Sequence, residues 1–598
     1  MAAKTEGAGV GGALKRLLVG RALSTSSQEH QLLPKILALP VFASDQLSSV
    51  AYATEEMMLV LALAGASALG LLSPLGIGVA ILLIVVIVSY RQTVRAYPRG
   101  GGSYIVAKEN LGTVPGLTAA GAILSSYVLT VSVSVTAGAI AVTSAAPGLA
   151  DHKVALATSF VVLITVANLR GAKEAGKVFA IPTYGFVVVV GLTLGWGVVR
   201  CVSGGCPQAA SANLPLHAEA SLSLFLVLRA FSSGATALTG VEAIADGVQA
   251  FRRPQAKNAA ATLLLMGAMS IPMFLGITIF ARLLHVRVNH DLASSKSVLA
   301  QIGDTIFSGG AMFIVLQIFT AAILILAANT AYQDFPRLAS ILARDRYMPS
   351  QFMNRGDRLV FSNGVIVLGL LSCLMIYTFG AELGVLINFY VVGVFTSFTL
   401  SQSGMVRHWL AEGRKGSHAF PGWRRATVIN AIGAVTTLVV LVVVIVSKAP
   451  DGAWLSILIM AALVPVFVMI HRHYRAVAAE LARERPNAGA IEVGPVILLV
   501  RDLDAATAEA LGYVRAMRPA RSIALHPVTD GSAPDEVADR WRAWAGDGIP
   551  LDVRPGAGLI QVVRDRLRAL DRGPHEVVTI VIPELVSGRL LTYLLRRW

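Results

Sequence analysis

The stretch Pro40–Glu56, PVFASDQLSSVAYATEE, puts a carboxylate, two serines and a tyrosine where hydropathy places the first membrane-spanning helix. Wound as a helix, it brings Asp45, Ser48, Ser49, Tyr52 and Glu56 onto one face, because they recur at intervals of three or four. A charged side chain facing lipid costs several kcal/mol, so this face looks toward protein or water. Pairing with a buried basic residue would be the structural explanation. No lysine or arginine falls deep in any nearby span, which leaves a mobile cation or a proton as the expected partner of Asp45.

The rest of the chain supports the membrane reading. Of its 598 residues 55% are hydrophobic and only 14% charged, and mean hydropathy is +0.67. Runs such as LGIGVAILLIVVIVSY at Leu75–Tyr90 and VINAIGAVTTLVVLVVVIVS at Val428–Ser447 match the thickness of a bilayer core. Spans are expected to begin at Ile36, Pro74, Pro115, Val154, Phe179, Ser221, Ala261, Gly309, Phe361, Glu382, Val428 and Trp454, roughly twelve on that length criterion. The expected architecture is an all-α polytopic membrane protein.

A net charge of +15 suggests nucleic acid until its positions are read. Arg91, Arg95 and Arg99, then Arg170, Lys173 and Lys177, then Arg252, Arg253 and Lys257, then Arg337, Arg344 and Arg346, and finally Arg407, Arg414, Lys415, Arg424 and Arg425 fall in alternate loops. That is the positive-inside bias of a multi-pass protein of the cytoplasmic membrane, with both termini in the cytoplasm. No nucleic-acid partner is expected. Three cysteines make no disulfide framework. Cys201 and Cys206 flank an outside loop where they could pair, and Cys373 lies in an apolar run.

Three domains are expected: a cytoplasmic arm at 1–34 without a cleavable signal pattern, a transporter domain at 35–471, and a cytosolic α/β domain at 472–598. In the last, short apolar runs alternate with amphipathic helices, from VGPVILLVRDL through SIALHPV and PLDVRP to EVVTIVIPEL. Strands alternating with helices predict a parallel sheet with crossovers. The domain resembles the universal stress proteins, without their Gly-rich nucleotide loop. Because Trp598 follows soon after the fourth strand, completion of the sheet by a partner chain is expected.

A second span is interrupted like the first: FSSGATALTGVEAIADGV at Phe231–Val248, five spans later. Matching interruptions at that offset point to a LeuT-like 5+5 inverted repeat, with the site at the repeat interface. Ser232, Thr236, Thr239, Glu242 and Asp246 fall near one face, and Gly234 and Gly240 permit local unwinding. Unwound carbonyl oxygens are the hard ligands an alkali cation needs in place of water. Glu242 is a candidate second cation ligand or proton carrier, while Asp246, nearer the end, reads as structural. Tyr127, Thr130 and Ser134 in the third span are candidates for the site or for helix packing. Asn329 and Thr330 close the eighth span, and Asn388 and Tyr390 lie in the tenth, Tyr390 being either an aromatic gate or a packed core tyrosine.

ASDQLSSVAYATEE, SYRQTVRAYPRGGGSY, NLRGAKEAGKVFAIPTYG, TALTGVEAIADGV and ANTAYQDFPRLASILARD together resemble the amino acid–polyamine–organocation superfamily, and most closely its bacterial KimA-type potassium–proton symporters. The Asp-to-Tyr-Ala interval in DQLSSVAYA also resembles the first span of the KUP potassium transporters. Amino acid permeases usually have a Gly-rich break there that receives a substrate carboxylate, which Asp45 would repel. The resemblance implies a secondary transporter importing potassium with protons. Asp45, Ser49, Tyr52, Thr239, Glu242, Tyr127, Thr130 and Tyr390 would form the cation path, and Glu242 and Asp45 would couple protons. It also implies a homodimer and a cytosolic domain regulated by cyclic di-AMP, with Arg501, Arg515, Arg518 and Arg521 available to phosphates. Ser126 stands where that family carries an acidic residue before the tyrosine. A permease for amino acids or organic amines is the alternative, and a sensor without flux a second. Neither a nucleophile–base pair nor a cluster of metal ligands argues for an enzyme.

Overall fold

The computed structural model describes residues 32–98, 100, 102–170, 175–288, 296–353, 361–416, 420–483, 494–500, 503–528, 534–546, 548–555, 559–570 and 577–583. The arm at 1–31, Arg99, Lys173 and Arg501 lie outside them. The chain divides into a helical unit, Lys15–Val477, and a unit that contains Ala478–Trp598.

In chain order the helical unit contains α1 (Lys35–Ala62), α2 (Leu72–Ala96), α3 (Gly102–Leu111), α4 (Thr113–Ala145), α5 (Lys153–Leu169), α6 (Ala175–Gly204), α7 (Leu224–Gly234), α8 (Val241–Asp246), α9 (Gln255–Leu283), α10 (Val298–Phe307), α11 (Ala311–Arg344), α12 (Ser362–Thr378), α13 (Leu383–Gly413), α14 (Trp423–Lys448) and α15 (Trp454–Arg483). Among the described residues eleven spans are long and apolar enough to cross a membrane, with α7 and α8 together counting as one. The span expected from Phe361 is α12, a helix of 17 residues that falls just below that length. Cys201 and Cys206 form a disulfide where α6 ends.

Burial separates central helices from peripheral ones. The most apolar stretch of α1 is 89% buried and that of α4 is 83% buried, against 17% for those of the spans Pro147–Leu169 and Trp454–Ala479. Both central helices are rich in Ala, Ser, Thr or Gly, which let backbones approach. At Gly138 of α4, for example, an added Cβ would meet Ile325 of α11 at 2.7 Å.

The two interrupted spans behave differently. The sixth breaks: α7 ends at Gly234, a 3-10 turn covers Ala235–Leu238, Thr239 is extended, and Gly240 takes φ +83° before α8 starts. Glycine is what permits that left-handed residue. The first does not break. No glycine lies between Pro40 and Glu56, and α1 runs through Asp45 as continuous helix. Its internal Pro40 cannot bond the carbonyl four residues back. Tyr184 of α6 supplies the missing donor, its hydroxyl reaching Ile36 O at 2.9 Å.

The other unit has β1 (Val496–Leu499), α16 (Ala505–Met517), β2 (Ser522–Val528), α17 (Pro534–Ala545), β3 (Leu551–Pro555), α18 (Leu559–Ala569) and β4 (Thr579–Val581). Its four strands pair in parallel in the order β3-β2-β1-β4. Strand alternation sends Val496 and Leu498 to one face, against Leu511, Val514 and Trp541, and Ile497 and Leu499 to the other, against Val562. Both faces of β1 are therefore covered, as an all-parallel sheet requires.

Candidate functional site

Asp45 is 3% exposed and lies at mid-helix, where its own backbone carbonyl accepts from both Ser48 Oγ and Ser49 Oγ at 2.8 Å. Its side-chain Oδ2 takes a long contact from the Tyr390 hydroxyl, 3.5 Å. Oδ1 is buried without a hydrogen bond from any of the described residues. The break in the sixth span lies directly against it: a Cβ on Gly240 would fall 2.9 Å from Asp45 Oδ2 and 2.6 Å from the Gln46 amide nitrogen. Glycine therefore serves twice at position 240, for the turn and for the approach of α1.

A relay of hydroxyls backs the carboxylate. Tyr52 OH donates to Ser49 Oγ at 2.9 Å, Ser49 Oγ and Thr239 Oγ1 are 2.6 Å apart, and Thr239 Oγ1 donates to Thr236 O at 2.8 Å. Gln46 Nε2 reaches the unwound Ala237 carbonyl at 3.3 Å. The extended residue Thr239 is thus stitched to α1 by side chains, in place of the helical ladder it has left.

Asp45, Tyr127, Thr130, Glu242 and Tyr390 open onto one cavity, together with Ser126 and Ser397. About 30 Å³ of it is open to the centre of a water-sized sphere, room for about two waters or one small ion by the usual allowance. Glu242 differs from Asp45 in having its oxygens engaged. The Ser103 amide donates to Oε1 at 3.1 Å, the Ser103 hydroxyl donates to the same oxygen, and Ser397 Oγ donates to Oε2 at 2.6 Å. Tyr127 spends its hydroxyl on Asp246 Oδ2, at 2.5 Å. Asp246 in turn packs so closely on α3 that a Cβ at Gly102 would fall 1.6 Å from Oδ1.

The candidates therefore divide into two layers. Asp45, Tyr127, Thr130, Glu242 and Tyr390 face the cavity, while Ser49, Tyr52 and Thr239 form the hydroxyl chain behind Asp45. Ser232 pairs with Ser447, 3.2 Å away, and Thr330 with Ser44 at the same distance, and Asn329 accepts from Asn168, so these act in helix packing. Ser134 is buried in α4 without a hydrogen-bond partner among the described residues. Two residues at the site were missed. Ser397 is seven residues beyond Tyr390 and so on its face, a spacing that would have flagged it. Ser103 lies in the short helix α3, outside every expected span, and no local pattern brings it to Glu242.

One expectation is corrected. Lys448 at the end of α14 is 2% exposed, and its charge acts on Glu56. A basic residue is thus buried among the helices after all, though it answers Glu56 and not Asp45. It looked peripheral because it ends an apolar run, where lysine usually extends to the interface.

Comparison with known proteins bears directly on this geometry. Residues 42–470 match the family described as Amino acid permease, and residues 492–597 match the KimA potassium transporter C-terminal domain. Potassium transporter KimA of Bacillus subtilis (strain 168) is 40% identical over 528 residues, covering 88% of this chain and 85% of that protein. The helical unit with its broken sixth span and the parallel-sheet unit are the parts those matches cover, and the chain belongs to the amino acid permease family and, within it, to the KimA transporters.

Proposed function

We propose that this chain is a secondary transporter that imports potassium together with protons by alternating access. The observation that carries the proposal is Asp45 Oδ1, a buried carboxylate oxygen without a protein partner at the edge of a small cavity ringed by hydroxyls. An intramembrane carboxylate is retained where it meets a mobile charge, and hydroxyl and carbonyl oxygens are the ligands that replace an alkali ion's hydration shell. The name of the Bacillus subtilis relative agrees with potassium as that ion.

The two carboxylates take different roles. Asp45 is the cation ligand, supported by Tyr390, Thr130 and the Ser49–Tyr52–Thr239 relay. Glu242 already holds donors from α3 and α13, so its exchange of a proton would loosen Ser103 and Ser397 and shift the balance between two states of the transporter. The cavity in this state suits an ion better than an amino acid or organic amine. The same reading includes a 5+5 inverted repeat, both termini in the cytoplasm, domains divided near residues 34 and 471, and a universal-stress-like C-terminal domain that dimerises and binds cyclic di-AMP. Arg515 would contribute little there, because it donates to Ala545 O at 2.5 Å.

Rubidium uptake into proteoliposomes, challenged with excess potassium, lysine, putrescine or alanine, tests the substrate class. Competition by potassium alone is the expected result. Inhibition by an amine or amino acid, with transport of that compound, would replace the proposal with the permease reading.

A further inference from the structure

Glu56 and Lys448 both meet α13 near its start, away from the cavity at Asp45: a Cβ at Gly384, one turn before Asn388, would lie 3.8 Å from Glu56 Oε2. Lys448 Nζ donates to Asn388 Oδ1 at 2.6 Å, from α14 to α13. The Glu56 carboxylate favours that ammonium more than Asp451 does, and Arg229 opposes it. Arg229 and Asp451 are themselves an ion pair, which ties the middle of α7 to the turn after α14. Among the described residues no other lysine or arginine is so fully buried. Glu56, 5% exposed, accepts no hydrogen bond from a described residue and forms no direct ion pair with Lys448.

A buried carboxylate without a donor, next to an amide oxygen that already holds an ammonium, is a recognition site for a monovalent cation. An ammonium group is close to potassium in size and charge. We infer that Glu56 and Asn388 line a second cation site at this end of the path, and that Lys448 holds its Asn388 side as a tethered cation which an entering ion displaces. The Lys448–Asn388 bond holds α13 to α14 two residues from Tyr390, so displacement frees the segment that carries the Asp45-facing tyrosine. By the distribution of basic loops this is the exterior end, where ions enter.

The test counts ions on the full-length purified protein, with rubidium as the probe. At a rubidium concentration too low to displace Lys448 in wild type, removal of the tethered charge in Lys448→Met should add one bound rubidium per chain, and Glu56→Gln in that background should remove it. Asp45→Asn combined with Lys448→Met should lose only the central ion. The inference rests on the proposed cation transport only for the choice of rubidium. Wild type that binds no rubidium would end that reading, whereas equal counts in wild type and folded Lys448→Met at every rubidium concentration would overturn this one alone.

A second measurement leaves Lys448 in place and covers the case in which Lys448→Met does not fold. A Cβ at Gly384 would lie 3.8 Å from Glu56 Oε2. In Gly384→Cys, on a background with Cys373→Ser, rubidium should slow labelling by a cationic thiol reagent at least several-fold more than labelling by a neutral one of the same size. Equal effects of rubidium on both reagents would overturn the inference.

Discussion

Gly240→Ala should disable the site while leaving its chemistry nominally intact. Alanine would have to hold φ +83°, a left-handed conformation that costs an L-residue about 1–2 kcal/mol. Its Cβ would also lie 2.6 Å from the Gln46 amide nitrogen, 2.9 Å from Asp45 Oδ2 and 3.0 Å from Asp45 Cβ. Two of those three neighbours cannot rotate away, so α1 and the break must separate, with an overpacking cost of about 1–3 kcal/mol. Together these come to about 2–5 kcal/mol, and each 1.4 kcal/mol that falls on ion binding is a factor of about ten. Rubidium uptake in proteoliposomes should therefore show a KM raised more than tenfold, or no uptake at all, with a lowered Tm. Gly191→Ala in α6, where an added Cβ meets nothing within 4 Å, is the control and should transport normally. Wild-type KM and Tm in Gly240→Ala would show that α1 and the break are not in the contact described, and the reasoning would fall.

Two further outcomes follow from the same contacts. Glu242→Gln keeps an acceptor for Ser103, and Ser397 Oγ can accept from the amide where it donated to the carboxylate, but the exchangeable proton is gone, so rubidium binding should persist while acceleration of uptake by a proton gradient is lost; retained acceleration would remove Glu242 from coupling. Trp541→Ala deletes a side chain that is 1% exposed and donates to Ile549 O at 2.8 Å, at a cost of about 3–5 kcal/mol to the sheet unit. Limited proteolysis of the full chain should then cut the region after residue 494 first, and unchanged resistance would contradict the packing.

Much of the site was legible because charge is conspicuous in apolar surroundings. Asp45 and Glu242 stand out in their spans, and helical spacing alone adds Ser49 and Tyr52 to the face of Asp45. The broken sixth span was legible from Gly234 and Gly240. The first span stays helical, as its spacing of three and four was read, because polar residues do not unwind a helix unless a glycine or an outside partner takes up the backbone groups, and Pro40–Glu56 contains no glycine. Ser103 and Lys448 were hidden for another reason. Their importance comes from helices remote in sequence, α8 for one and α1 and α13 for the other, and local periodicity carries no information about which helix faces which. In the sheet unit, apolar runs interleaved with amphipathic helices were enough to predict parallel pairing, while the strand order emerges only from packing.

The most direct test of Asp45 as the cation ligand is potassium uptake by proteoliposomes carrying wild type or Asp45→Asn, with and without an inward proton gradient. Removing the charge from a carboxylate whose Oδ1 has no other partner should abolish gradient-driven uptake, while the Tm stays near or above that of wild type. Wild-type rates in Asp45→Asn would contradict the assignment, and an absence of potassium flux in active wild-type vesicles would contradict potassium transport itself.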